Sequence, residues 1–293
     1  MDFTDSADEI VGAVAARPWP TGTMAHVLTA IEYAAIPADV WREAAGRIDR
    51  VRQEMQRKAD LITTLAVERL RDYGIAAQPI VKIDDPRFAI VKEAASWPAQ
   101  LILLRAHSHM DLTRWLLGSV TNAVLHDAPC SVEIVRATVR DAKRFAQSGL
   151  KILFATDGSE CSRAAGRSVA ERPWPRGSEV KVITVIESRI SLLMSERGEL
   201  ERGPHKRDDA QAMIAEAERS IAGASLSVSS DLREGNPKEE IIEYARSWKA
   251  DLVVVGSHGR RGLKRLLLGS VSEAVAMHAP CSVGVIRVPG NAS

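Results

Sequence analysis

Gly256 closes an apolar run, Leu252 to Val255, and Gly259 follows two residues later; Gly269 and Ser270 come after nine more. Glycine admits positive φ and lets backbone N–H groups turn inward with no Cβ in the way. Ser270-Val271-Ser272-Glu273 reads as a capping box at the start of a helix, with Ser270 serving the third amide and Glu273 reaching back. A helix start carries about half a positive charge, and the hydroxyls of Ser270 and Ser272 add donors. Arg260, Arg261, Lys264 and Arg265 make the intervening loop cationic. The chemistry this suits is the holding of an anion such as a phosphate chain. The same pattern is also ordinary turn chemistry after a buried strand, and spacing alone leaves both readings open. It is neither G-x-G-x-x-G nor G-x-x-x-x-G-K-[ST], so dinucleotide dehydrogenases and P-loop enzymes lack support.

The positioning elements occur twice. "GSHGRRGLKRLLLGSVSEAVAMHAPCSV" (Gly256 to Val283) repeats "RAHSHMDLTRWLLGSVTNAVLHDAPCSV" (Arg105 to Val132), with more than half of the positions identical. "ERPWPRGSEVKVITVIE" (Glu171 to Glu187) repeats "ARPWPTGTMAHVLTAIE" (Ala16 to Glu32). Gly235 to Ser257 repeats Asp84 to Ala106. The chain is a tandem duplication. Its expected parts are residues 1–137, a polar, basic connector at 138–148, and residues 149–289.

In the second copy, apolar runs at Leu150–Thr156, Glu179–Glu187 and Leu252–Gly256 read as buried strands. Leu226–Leu232 alternates only in part and belongs near an edge. The strand Leu150–Thr156 runs through Asp157-Gly158 into a helix whose first turn is capped by Ser159. Helical spacing runs from about Asp208 to Ile221, Pro237 opens a helix to about Trp248, and Ser270 opens another. With the last strand from Cys281, five strands alternate with four helices, which predicts an α/β fold with a doubly wound parallel sheet. Ligands of such sheets sit beyond the carboxyl ends of the strands.

Gly256, Gly259, Gly269 and Ser270, with Asp157-Gly158-Ser159 after the first strand and Ala279-Pro280-Cys281 before the last, resemble the universal stress protein family. The likeness is full over residues 149 to 289 and partial in the first copy. It implies two tandem five-stranded Rossmann-like domains of the adenine nucleotide alpha hydrolase-like type. It also implies that ATP, alone or with magnesium, is bound where the glycines are intact. Ala155, Thr156 and Asp157 would then meet adenine and ribose, and Val185 the adenine edge. Gly256, Gly259, Arg260, Gly269, Ser270, Val271 and Ser272 would hold ribose and phosphates. Such domains pair through their last strands, Ser131–Arg136 and Ser282–Arg287 here, so the halves should pair within the chain, with a homodimer as a further association.

Arg105 and Ser108 stand where the second copy has Gly256 and Gly259, and Asp84 where it has Gly235. The first copy therefore reads as a non-binding partner. Met1 aligns with Thr156, so the first copy also lacks a first strand; a strand resembling "KILFAT" is expected to precede Met1, the alternative being that the first copy closes up or borrows a strand. His107 and His258 recur in both copies and read as structural, as do Cys130 and Cys281; with Cys161 the three thiols suggest neither a disulfide framework nor a zinc site. The chain has 293 residues, 39 basic and 38 acidic, for a net charge of +1, which gives no general field for nucleic acid or an acidic membrane surface. An acidic start and short apolar runs lead to a cytoplasmic expectation. Three functions follow in order of support: a stress-response or signalling module reporting ATP, a slow ATPase using the same pocket, and a nucleotide-free scaffold.

Overall fold

The computed structural model describes residues 3–33, 38–106, 117–187, 207–222, 226–259 and 268–288. The first half runs α1 (Phe3–Ala15), β1 (Met24–Ile31), α2 (Ala38–Asp72), β2 (Ala76–Ile83), α3 (Pro86–Ser96), β3 (Leu101–Arg105), α4 (Ser119–Asp127) and β4 (Ser131–Val135). The connector is α5 (Val139–Ser148). The second half runs β5 (Lys151–Ala155), α6 (Glu160–Glu171), β6 (Glu179–Glu187), α7 (Arg207–Ile221), β7 (Ser227–Gly235), α8 (Pro237–Ser247), β8 (Leu252–Gly256), α9 (Ser270–His278) and β9 (Ser282–Ile286). Among the described residues no helix is long and apolar enough to cross a membrane.

The second half is the doubly wound sheet that its alternating pattern predicts, in the order β9-β8-β5-β6-β7, all parallel. β5 lies at its centre because its residues are apolar on both faces: Ile152 and Phe154 pack beneath α6, and Leu153 beneath α8. β7, half-alternating in sequence, takes the edge. Helix starts follow local chemistry. The Ser159 hydroxyl accepts from the Ser162 amide at 3.1 Å, and Asn236 and Asp85 cap α8 and α3 ahead of Pro237 and Pro86.

Among the described residues the first half has no counterpart of β5, and its sheet divides accordingly. β1 pairs with β2 in a separate two-stranded sheet, while β3 pairs with β4. β4 then joins β9 antiparallel, with Val132, Glu133 and Ile134 opposite Val285, Gly284 and Val283. The last-strand pairing expected from the repeat is thus present, and it makes one seven-stranded sheet, β3-β4-β9-β8-β5-β6-β7. The connector is not a slack polar tether. Thr138 and Asp141 form a reciprocal capping box, and Phe145 is buried on the second half's core. Gly149 ends α5 at φ +77°, where a Cβ would lie 2.3 Å from the Gly177 carbonyl carbon.

The junction has approximate twofold symmetry written in the repeats. Trp19 and Trp174 each donate to a carbonyl five residues back, Val14 and Val169, at 2.7 Å. They hold Arg17 and Arg172 in equivalent places, and both guanidiniums reach the one carboxylate of Glu133, Arg172 at 3.0 Å. Glu133 is fully buried and sits opposite Gly284 across the β4–β9 ladder. The Arg136 guanidinium donates to the carbonyls of Cys281 at 3.1 Å and Ala276 at 2.5 Å, and that of Arg287 to Leu125 and His126 at 2.8 and 3.0 Å. Each arginine therefore closes the C-terminus of the other half's helix, α9 or α4, where carbonyls lack intrahelical partners. Burial lowers the pKa of Arg136 to about 10, well above neutrality.

Burial alone would raise the Glu133 carboxyl, but the charges and hydrogen bonds of Arg17 and Arg172 hold it below the ordinary carboxylate value. The folded chain thus binds this proton less tightly than the unfolded chain. The resulting stability is complete above the unfolded pKa and is lost as pH falls through the folded value. Glu133→Gln should cost about 3 kcal/mol at pH 7, since it leaves two guanidiniums beside a neutral group. Denaturant titrations of the two proteins should stay apart through the ordinary carboxylate range and converge only as pH falls through the lowered, folded-state value of Glu133.

Candidate functional site

Three strand ends and two helix starts meet at the carboxyl edge of the second half's sheet. β5 is pinned to β6 as it ends: the Thr156 amide donates to the Ile183 carbonyl at 2.9 Å, and the Thr184 hydroxyl donates to the Thr156 carbonyl at 3.0 Å. The chain then turns into α6, with the Asp157 carboxylate accepting the Ser159 amide at 3.0 Å. β8 delivers Ser257, whose buried carbonyl accepts the Gly269 amide at 2.8 Å and the Ser272 hydroxyl at 3.0 Å. This draws the start of α9 back onto the end of β8. The Ser159 hydroxyl donates to the His258 carbonyl at 3.1 Å and so ties the start of α6 to the same turn.

The two motif glycines answer to close approach. Neither has the positive φ that the sequence suggests. A Cβ at Gly256 would lie 2.7 Å from the backbone carbon of Cys161 and the amide nitrogen of Ser162, so a side chain there would push α6 off β8. A Cβ at Gly259 would lie 2.9 Å from the Asp157 carboxylate. Gly259 and Asp157 thus face each other across a space that any side chain at 259 would enter.

The capping box expected at Ser270 is also corrected. Gly269 is the cap, at φ −68° and ψ 143°, and Ser270 is exposed in the first helical position. The bond from the Gly269 amide to Ser257 fixes the chain one residue earlier than the Ser-x-x-Glu pattern implies. The Ser272 hydroxyl turns inward, and Glu273 lies 3.5 Å from His126 of α4.

Of the expected site residues, Thr156, Asp157, Gly256, Gly259, Gly269 and Ser272 converge on this turn, with Ser270 at its rim. Val185 and Leu268 belong to one buried apolar cluster, and Ala155 and Val271 pack against it. Arg260 lies outside the described residues, as do Arg261, Lys264 and Arg265. Sequence reading left out Ser159, Ser257 and the backbone of His258. The signal for Ser257 is that the first copy has Ala106 there. The His258 ring rests 3.0 Å from the Ser257 hydroxyl, and burial lowers its pKa. Burial also pushes Cys130 up to about 11 and Cys281 up to about 12, which suits packing rather than reactivity. Among the described residues no three His, Cys, Asp or Glu side chains cluster as metal ligands.

The first half keeps only the helix start. Gly118 caps α4, and the Thr121 hydroxyl reaches the Arg105 carbonyl at 3.4 Å. Among the described residues it has no strand end equivalent to β5, and Arg105 replaces the glycine that would let β3 approach a helix backbone. His107 and Ser108 lie outside the described residues.

The model of the universal stress protein family matches residues 1–136 and again 150–287. A universal stress protein of Mycolicibacterium smegmatis is 31% identical over 224 residues, 73% of this chain and 70% of its own length. One from Mycobacterium tuberculosis is 28% identical over 265 residues, covering 85% and 79%. The solved structure of a universal stress protein from Archaeoglobus fulgidus agrees in fold with a TM-score of 0.68 at 20% identity, over 99% of this chain and 97% of its own.

The different demands on the two glycines should separate in a stability measurement. Gly256→Ala should lower unfolding free energy by about 1–3 kcal/mol, because backbone must move. Gly259→Ala should stay within about 0.5 kcal/mol of the parent, because only a side-chain oxygen must give way.

Proposed function

Because the chain belongs to the universal stress protein family, as a tandem member with one family match in each half, we propose that its second half binds one ATP, alone or with magnesium, and that its first half binds none. The supporting observation is the facing of Gly259 and Asp157 between two helix starts, a cradle that a Cβ would fill. Phosphates would lie against the Gly256–Gly259 turn and the start of α9, where amides, the Ser270 hydroxyl and the positive end of the helix dipole favour negative charge. Arg260 would add a charge-assisted contact. Asp157 would accept from the ribose, and the apolar surface of Ala155, Val185 and Val271 would take the adenine.

What converges here among the described residues is backbone amide, hydroxyl, small apolar surface and the single carboxylate of Asp157. That set is suited to holding an anion, a ribose and a base, so the reading it supports best is a nucleotide-reporting module in stress response or signalling, ahead of a slow ATPase or a nucleotide-free scaffold. In the cytoplasm such a module would sense ATP and pass that state to a partner through the surface around α9.

Equilibrium dialysis with radiolabelled ATP tests the assignment. Gly259→Val and Asp157→Ala should each weaken binding at least tenfold, while Ser108→Gly should leave both affinity and stoichiometry unchanged. Full affinity in Gly259→Val would place the nucleotide elsewhere.

A further inference from the structure

Among the described residues every exposed large hydrophobic side chain belongs to the first half, and half of them lie on α2: Val51 and Leu61 at 59% exposure, Leu65 at 46% and Met55 at 38%. α2 is 35 residues long, about 52 Å at 1.5 Å per residue, and it overhangs strands of eight residues. Its C-terminal part is held by the fold, with Ala59, Ala66, Val67 and Leu70 buried. From residue 47 to residue 58 no side chain is buried. α7, in the equivalent place of the second half, buries Ala210, Ile214, Ala217 and Ile221 and leaves no large apolar side chain exposed.

The uncovered side chains form a pattern. Ile48, Val51, Met55, Lys58, Ile62 and Leu65 follow one another at alternating steps of three and four residues, the spacing of a coiled-coil seam. One flank of this seam faces the chain's own fold: Ala59 and Ala66 are buried, and the Arg52 guanidinium lies over the Tyr33 ring at 4.8 Å. The other flank, formed by Arg47, Glu54, Leu61 and Glu68, is exposed throughout. The seam also reads alike in both directions about the point between Gln56 and Arg57. Ile48 mirrors Leu65, Val51 mirrors Ile62, and Met55 mirrors Lys58.

We propose that a second copy of this chain covers this face, with the two α2 helices antiparallel about a twofold axis at that point, so that every contact occurs twice. Ile48 then meets Leu65 of the second copy, and Val51 meets Ile62 with Leu61 beside it. The stem of Lys58 lies on Met55 of the second copy while its ammonium reaches Glu54 on the open flank, where Arg47 also reaches Glu68. The charges select this arrangement. A parallel, in-register pair sets Lys58 against its own copy, and an antiparallel pair slipped by one heptad sets it beside Arg47 or Leu61, with no acid to meet it. Glu54 and Glu68 on the open flank suit a second α2 and oppose an anionic membrane surface, which favours a uniformly basic rim. The last strands are already paired within the chain, β4 on β9, so association between chains falls to another face.

Sedimentation equilibrium of the full chain tests this. The chain should dimerise with a Kd below about 100 μM. Val51→Asp and Leu65→Asp, both at exposed positions, should each raise that Kd at least about tenfold. Glu54→Lys and Lys58→Glu should each weaken the dimer, and the two together should restore it; Arg47→Glu and Glu68→Arg should behave in the same way. A parallel pair would show neither restoration, because neither exchange brings opposite charges together there. A chain still monomeric at about 100 μM, or a dimer that the aspartate variants leave intact, would overturn the proposal. So would binding of the chain to vesicles of phosphatidylserine and phosphatidylcholine that Val51→Asp abolishes, since a membrane would then be the occupant. If the aspartate variants do not fold, the charge exchanges on the exposed flank decide: restoration in the double variants supports the antiparallel pair, and its failure in both removes it.

Discussion

One buried carboxylate joins the two halves. Glu133 stands at the centre of the β4–β9 ladder, and the guanidiniums that neutralise it come from the same repeated Arg-Pro-Trp-Pro motif in each half. A single acid on the twofold needs only one position to carry it, and the opposing position in the second half is Gly284, which leaves room. A charge so deeply buried is tolerable only with both partners in place, so the arrangement specifies how the halves meet as much as how strongly. Arg136 and Arg287 extend that specification outward, each tying its strand to the end of the other half's helix. Because Arg136 holds the C-terminus of α9, the first half helps to orient the helix whose opposite end lies at the candidate nucleotide site.

The two halves share a junction yet differ at the carboxyl edges of their strands, and the difference is traceable to β5. Its end carries Asp157 and the turn into α6, which in turn requires Gly256 for α6 to lie close against β8. Without such a strand, the first half has no need of a glycine after β3, and Arg105 stands there. Arg105 in place of the glycine and the absence, among the described residues, of a strand between β1 and β3 therefore go together. The helix start at Gly118 persists because it shapes α4, which the junction needs, whatever binds nearby.

Much of this was legible in the sequence because it is local or repeated. The second half's strands, the edge place of β7, the caps at Ser159 and the proline-opened helices follow from runs, spacing and turn chemistry. The pairing of last strands followed from the family likeness and the repeat. What escaped reading depends on tertiary contacts. For Gly256 and Gly259 the sequence offers both positive φ and the missing Cβ as reasons; the missing Cβ is the one that applies, through the nearness of Cys161 and Asp157, residues about a hundred positions away. The cap moved from Ser270 to Gly269 because of a bond to Ser257, and no local pattern reports that bond. The connector's Thr-x-x-Asp start is a local helix signal within a polar, basic segment.

The central claim is that the two halves are unequal in ligand binding while equal in assembly. Amide hydrogen exchange of the whole chain with and without saturating ATP tests it most directly. Nucleotide should slow exchange at residues 155–159, 256–259 and 268–273, and leave the corresponding first-half segments 104–106 and 117–122 unchanged. Comparable protection in both halves, or protection confined to the first, would contradict it.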